Sequence, residues 1–152
     1  MWLVSIVIAQ LAGLIGSVFT FPSVKGWYLT INRPSWNPPG FVFGPVWTLL
    51  YTLMGIASYL VWQKRELGQS VRVALMVYGV HLVLNALWSI IFFGLKNPGL
   101  AFMEIIGLLF FIVLTMVLFY KIRPVTVWLL LPYLLWTSFA TFLNFTIWSL
   151  NR

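Results

Sequence analysis

Cysteine is missing from this chain of 152 residues, and only two residues are acidic. The first absence excludes disulfides, thiolate-held iron–sulfur clusters and covalently attached haem. The second, together with a single histidine, leaves no Ser–His–carboxylate set and no cluster of metal ligands. No glycine-rich phosphate loop is present either. Charge of both signs is scarce: 7% of residues are charged and 62% hydrophobic, far outside the range of soluble domains. The net charge of +7 does not argue for nucleic acid, because the cations sit in the breaks between apolar runs, where membrane proteins keep them.

What is present in quantity is long hydrophobic runs. Five apolar segments, at about 1–21, 41–62, 73–95, 98–120 and 124–150, are each long enough to cross a bilayer as a helix. The fold class expected is an all-α integral membrane protein, a five-transmembrane-helix bundle forming one domain over 1–152. The first segment lacks a basic region ahead of it, the first charge being Lys25, so it reads as a retained helix rather than a signal peptide. Lys64, Arg65, Arg72, Lys121 and Arg123 lie on the side of the N-terminus, against Lys25, Arg33, Lys96 and Arg152 opposite. The positive-inside rule therefore favours an inside N-terminus by one residue. The short termini carry no targeting extension, and a bacterial-type cell membrane is the expected location.

The stretch NRPSWNPPGFVFGPVW at 32–47 stands out against this background. It belongs to the longest connection, residues 22–40. Phe21-Pro22 is expected to stop the first helix, since proline lacks the amide donor and disfavours helical geometry just before it. Pro38-Pro39-Gly40 then forces an extended segment and a turn before the second helix. The other connections are short, so neighbouring helices run antiparallel.

At 100° per residue the second segment gathers Gly44, Trp47, Thr48, Tyr51, Gly55, Ser58 and Trp62 on one face and aliphatic residues on the other. In a membrane bundle the polar and small face turns inward. The third segment gathers Ala74, Tyr78, His81, Asn85, Trp88, Ser89 and Phe92, opposite Met76, Val80, Val83, Leu87 and Ile90. Glu104, Gly107, Phe111 and Thr115 share a stripe on the fourth. Tyr133, Trp136, Thr137, Ala140, Thr141, Asn144 and Trp148 spread over a broader arc on the fifth. With a rise of about 1.5 Å per residue, Trp47, Asn85, Trp88, Glu104, Trp136, Ala140 and Asn144 all fall near the midplane or in the half of the bilayer nearest the 22–40 loop. That loop, with Trp36 and the double proline, is placed to act as a stiff lid above an aromatic cavity.

Core packing is the competing reading of these aromatics. Trp2, Trp27, Trp62 and Trp128 suit the interfacial belts instead. Asn85, an amide near the midplane, needs partners that a cavity or a ligand supplies. His81 reads as satisfied through a neighbouring helix rather than as an iron ligand, and Glu104, at a different depth, is not paired with it. The small-residue ladders Ala9, Gly13, Ser17 and Ala12, Gly16, Thr20 serve packing within the bundle or, alternatively, a dimer face. Asn144-Phe145-Thr146 matches a glycosylation sequon but lies inside an apolar segment.

RPSWNPPGFVFGPVWTLLYTLMGIASYLVW at 33–62, NALWSIIFFGLKNPGLA at 85–101 and LPYLLWTSFATFLNF at 131–145 resemble the TspO/translocator-protein family, the tryptophan-rich sensory proteins also called peripheral-type benzodiazepine receptors. The likeness covers nearly the whole chain. It implies a five-helix bundle, commonly a homodimer, with a pocket capped by the first loop. It also implies binding of tetrapyrroles such as protoporphyrin IX and haem, and in some members of cholesterol and of synthetic isoquinoline or benzodiazepine ligands. Carried over, the ligand-binding residues fall on Trp36, Trp47, Tyr51, Asn85, Trp88, Trp136, Ala140 and Leu143, with no metal site. The family's cholesterol motif wants a tyrosine where Phe145 stands, between Leu143 and Arg152, so cholesterol is a doubtful partner. Three functions follow as expectations: a tetrapyrrole sensor, scavenger or carrier; light- and oxygen-dependent porphyrin degradation with Trp47 and Trp136 as candidate electron donors; or a small transporter. The last is disfavoured by the lack of internal duplication.

Overall fold

A computed structural model describes residues 2–152, with Trp2 described by its backbone alone; the assignment of Trp2 to an interfacial belt lies outside the described side chains. The described residues form helices and connections. Five long helices are apolar enough to cross a membrane: α1 (Trp2–Val24), α3 (Gly40–Trp62), α4 (Gln69–Ser89), α5 (Pro98–Ile122) and α6 (Thr126–Asn151). A one-turn helix, α2 (Trp27–Thr30), interrupts the long connection. The chain is a multi-pass integral membrane protein, an all-α bundle of five spans.

Helix is the form hydrocarbon permits, because it satisfies every backbone polar group within the segment. Hydroxyls along the spans follow the same rule. Thr20, Thr48, Thr115, Ser138, Thr141 and Thr146 each donate to the carbonyl four residues earlier, at 2.7–2.9 Å.

The expected helix boundaries need one correction. Pro22 does not stop α1, which continues to Val24. The proline sits in the last turn, where only a little helix remains for its missing donor to disturb. Then α4 runs on into a wider turn at Ile90–Gly94, where the Leu95 amide donates to the Ile90 carbonyl at 2.8 Å. Lys96 follows with φ of 55°, and Asn97 caps α5 by accepting from the Leu100 amide at 3.0 Å, with Pro98 at the first helical position.

The helices close a ring in the order α1, α3, α6, α5, α4 and back to α1. Small residues set the close approaches. A Cβ on Gly55 would lie 2.5 Å from the Ile6 backbone, and one on Gly13 2.5 Å from the Tyr51 ring. Gly16 meets Ser89 in the same way. Both ladders of α1 therefore turn toward its neighbours within the chain, while Leu3, Val4, Ile8 and Ile15 face outward.

One expected inward position is displaced. Gly107 is exposed, and the inward stripe of α5 runs instead through Ala101, Ile105, Leu108, Ile112, Thr115 and Phe119. The outward face expected for α4 agrees with exposed Met76, Val80, Val83 and Leu87.

Candidate functional site

The ring of helices encloses a cavity of about 460 Å³ in the half of the bundle nearest α2. Every span contributes to it. From α1 come Gln10, Gly13, Gly16, Ser17 and Thr20; from α3, Phe43, Gly44, Trp47 and Tyr51. The wall continues through Asn85, Trp88 and Phe92 on α4 with its extension, Ile105 and Leu108 on α5, and Trp136, Thr137, Ala140, Leu143 and Asn144 on α6. Its size falls within the usual ~300–1,000 Å³ of small-molecule sites, and its lining is predominantly apolar with a few placed polar groups, the usual composition of such sites.

Aromatic rings dominate the lining. Trp47 stacks on Tyr51 at 5.7 Å between centroids and meets Trp136 nearly at right angles at 6.4 Å. Trp136 in turn touches Phe43 and Phe139, and Trp88 stacks on Phe92 at 5.1 Å. Seven of the sequence-derived positions therefore come together: Trp47, Tyr51, Asn85, Trp88, Trp136, Ala140 and Leu143 all line the one cavity. Trp36 does not. It is 42% exposed and stacks on Phe142 at 5.4 Å, with Phe139 against its edge. The loop reaches the cavity through Tyr28, whose buried ring packs on Phe92 and Phe93.

Polar groups at the two ends of the cavity are organised differently. At the loop end the Tyr28 hydroxyl donates to Asn37 Oδ1 at 2.7 Å, and Arg33 lies over the Tyr28 ring at 5.1 Å. Burial holds the Tyr28 hydroxyl above its ordinary pKa, with the Asn37 bond and the Arg33 charge pulling the other way. Nearby, Trp88 Nε1 donates to Asn144 Oδ1 at 2.9 Å, and Asn144 Nδ2 donates to the Pro98 carbonyl at 2.8 Å. At the deep end Tyr51 donates to Asn85, Asn85 Nδ2 donates to the Tyr133 hydroxyl at 2.8 Å, and Tyr133 meets His81 Nε2 at 2.8 Å. His81 is satisfied through the neighbouring helix, as its sequence context implied. Between the two ends, Trp136 Nε1 and Thr137 Oγ1 are buried without a hydrogen-bond partner. Thr137 is 1% exposed and, unlike the threonines satisfied by the preceding turn, has no bond at all. Both Glu104 oxygens are likewise buried and unpartnered, so the carboxyl makes no pair with His81.

Sequence reasoning missed the whole contribution of α1, and Tyr28, Phe43, Ile105 and Leu108 as wall residues. The small-residue ladders of α1 were the available signal, since a helix that lets its neighbours approach also leaves room beside them. Among the described residues, no group of three His, Asp or Glu side chains comes together as a metal site would require.

Comparison with known proteins places this architecture. Residues 5–149 match the model of the TspO/MBR family. The chain is 45% identical to "Tryptophan-rich protein TspO" of Archaeoglobus fulgidus, across 98% of this chain and 96% of that protein. It is 39% identical to the human "Translocator protein" across 94% and 85% of the respective chains. It is also 39% identical to "Tryptophan-rich sensory protein" of Cereibacter sphaeroides across 82% and 77%. A match over nearly the full length, on five spans that close around a tryptophan-walled cavity, makes this chain a member of the TspO/MBR family.

Proposed function

We propose that this protein binds a flat, largely apolar tetrapyrrole, protoporphyrin IX or haem, in the cavity, and acts as a membrane sensor, scavenger or carrier of it. The observation that carries the reading is the meeting of Trp47 and Trp136 from different helices on one cavity, beside the unpartnered Trp136 Nε1 and Thr137 Oγ1. Indole faces supply stacking surface, each aromatic contact contributing about 0.5–1.5 kcal/mol beyond area burial. The orphaned polar atoms supply hydrogen bonds that a ligand edge completes. His81 has both ring nitrogens engaged, so the site suits recognition of the macrocycle rather than axial ligation of iron. Relatives bearing the names translocator protein and tryptophan-rich sensory protein support a sensory or translocating role at the membrane. The same aromatic walls suit synthetic isoquinoline or benzodiazepine ligands, which are expected to compete with porphyrin.

Titration of the purified protein with protoporphyrin IX, followed by quenching of tryptophan fluorescence, tests the reading. Saturable binding is expected, weakened about tenfold in the Trp47→Phe, Trp136→Phe double variant, which shrinks two stacking faces and removes the Trp136 Nε1 donor. Unchanged affinity in that variant removes the cavity from the proposal.

A second reading is favoured by the same pair of rings: two oxidisable indoles at 6.4 Å could donate electrons to an excited porphyrin in the presence of oxygen. Illumination of the complex distinguishes it. Porphyrin loss no faster than for free porphyrin in detergent disposes of this reading.

A further inference from the structure

Beneath the cavity, five groups form one hydrogen-bonded chain whose sense can be worked out from its far end. His81 Nδ1 lies 3.0 Å from the backbone carbonyl of Tyr78, which can only accept, so Nδ1 carries the proton. Nε2 of that tautomer has a lone pair and no proton. The Tyr133 hydroxyl, 2.8 Å away, therefore donates to it. With its one proton committed, the Tyr133 oxygen must accept from Asn85, which fixes the Asn85 amide with Nδ2 toward Tyr133 and Oδ1 toward Tyr51. Tyr51 then donates to Asn85. Its proton points into the protein, and toward the cavity its oxygen is an acceptor only.

We infer that His81 is a positioning residue that sets the donor and acceptor identity of the cavity's deep end through Tyr133 and Asn85. The inference rests on the ligand-binding reading above and specifies it. His81 is not in the cavity wall, whereas Tyr51 and Asn85 are. The deep end offers a ligand the lone pairs of Tyr51 and the second N–H of Asn85. It thus selects a ligand edge that pairs an N–H or O–H donor with an acceptor. The protonated carboxyl of a porphyrin propionic acid, an O–H beside a carbonyl, is one such edge, and a lactam is another. Replacing His81 by a group that cannot accept frees the Tyr133 proton. Tyr133 can then donate to Asn85, the amide turns over, and Tyr51 presents a proton to the cavity in place of lone pairs. One residue outside the site would thus invert the polarity of a residue inside it.

Two measurements test this. His81 is the only histidine, so ¹⁵N labelling of histidine gives a spectrum that assigns itself. In the ligand-free protein the imidazole is expected as the Nδ1–H tautomer; an Nε2–H tautomer or an imidazolium overturns the inference whatever the ligand is. The second measurement is a cycle of protoporphyrin IX affinities. His81→Leu and Tyr51→Phe, which do not touch each other, are each expected to weaken binding about tenfold, and the double variant also about tenfold, because either break disables the same chain. His81→Gln keeps an acceptor for Tyr133 and is expected within about twofold of the wild type. Losses that multiply to about a hundredfold in the double variant overturn the inference, since independent structural damage adds in free energy. If His81→Leu does not fold, Tyr133→Phe replaces it in the cycle with the same expected outcome. A wild type that fails to bind protoporphyrin IX sinks the tetrapyrrole reading, while the tautomer measurement still decides the chain.

Discussion

Thr137 is a residue whose cost and use should be separable. A buried hydroxyl without a partner destabilises the folded chain by about 1–3 kcal/mol. Thr137→Val keeps the shape and removes the orphan, so it is expected to raise the thermal midpoint in detergent while weakening porphyrin binding severalfold. A variant that is stabilised but binds normally places Thr137 outside the ligand's reach. Glycines offer a contrast of the same kind. Gly55→Ala sets a methyl 2.5 Å from the Ile6 backbone, an overpacking expected to cost about 1–3 kcal/mol, more than the ~1 kcal/mol of helix propensity gained. A methyl on Gly107 would meet nothing within 4 Å, so Gly107→Ala is expected to be neutral or slightly stabilising. Equal effects of the two on thermal unfolding would mean that α1 and α3 do not pack closely at Gly55.

Among the elements, the connection between α1 and α3 is fastened to α6 by a small set of side-chain contacts. Asn151 near the end of α6 clasps Asn32 from both sides: its Oδ1 accepts from the Asn32 amide at 2.9 Å, and its Nδ2 donates to the Asn32 carbonyl at 2.8 Å. Asn32 Nδ2 adds a longer bond to the Leu150 carbonyl at 3.3 Å. Together with the Trp36 stack on Phe142, these bonds fasten the loop to α6. Asn151→Ala is expected to speed amide exchange over residues 31–37 by about thirtyfold, the loss of two bonds at roughly 1 kcal/mol each. Exchange unchanged by Asn151→Ala would show that the aromatic stack alone holds the loop. Most of this level was legible in the sequence, because runs of some twenty apolar residues leave a helix no alternative in lipid. What escaped was where local rules meet tertiary ones. Pro22 was expected to end α1, yet a proline in the final turn has almost no helix left to break. Gly107 was expected inward because periodicity assigns each helix one face, whereas in a closed ring the buried arc is set by the two neighbours. Trp36 carried the strongest motif signal and still packs on the outside of α6, since loop chemistry fixes the turn and not the direction of the ring.

For the molecule as a whole, the cavity is nearer one membrane surface, so its orientation decides which compartment its loop faces. The two ends are almost equally basic, and the rule that cations stay inside favours an inside N-terminus by the single residue that separates Lys64, Arg65, Arg72, Lys121 and Arg123 from Lys25, Arg33, Lys96 and Arg152. So slight a bias is open to direct measurement, because the absence of native cysteine makes every introduced one a unique label. Lys25→Cys and Lys96→Cys mark the loop side, and Lys64→Cys and Lys121→Cys the other; all four positions lie in connections or at helix ends, away from the cavity. In intact cells a membrane-impermeant maleimide is expected to label the first pair and to reach the second only after permeabilisation. The reverse pattern would turn the loop and its cavity toward the cytoplasm. Labelling of both pairs in intact cells would mean that one charged residue is too little to hold a single orientation, and adding a lysine beside Lys64 should then restore the expected pattern.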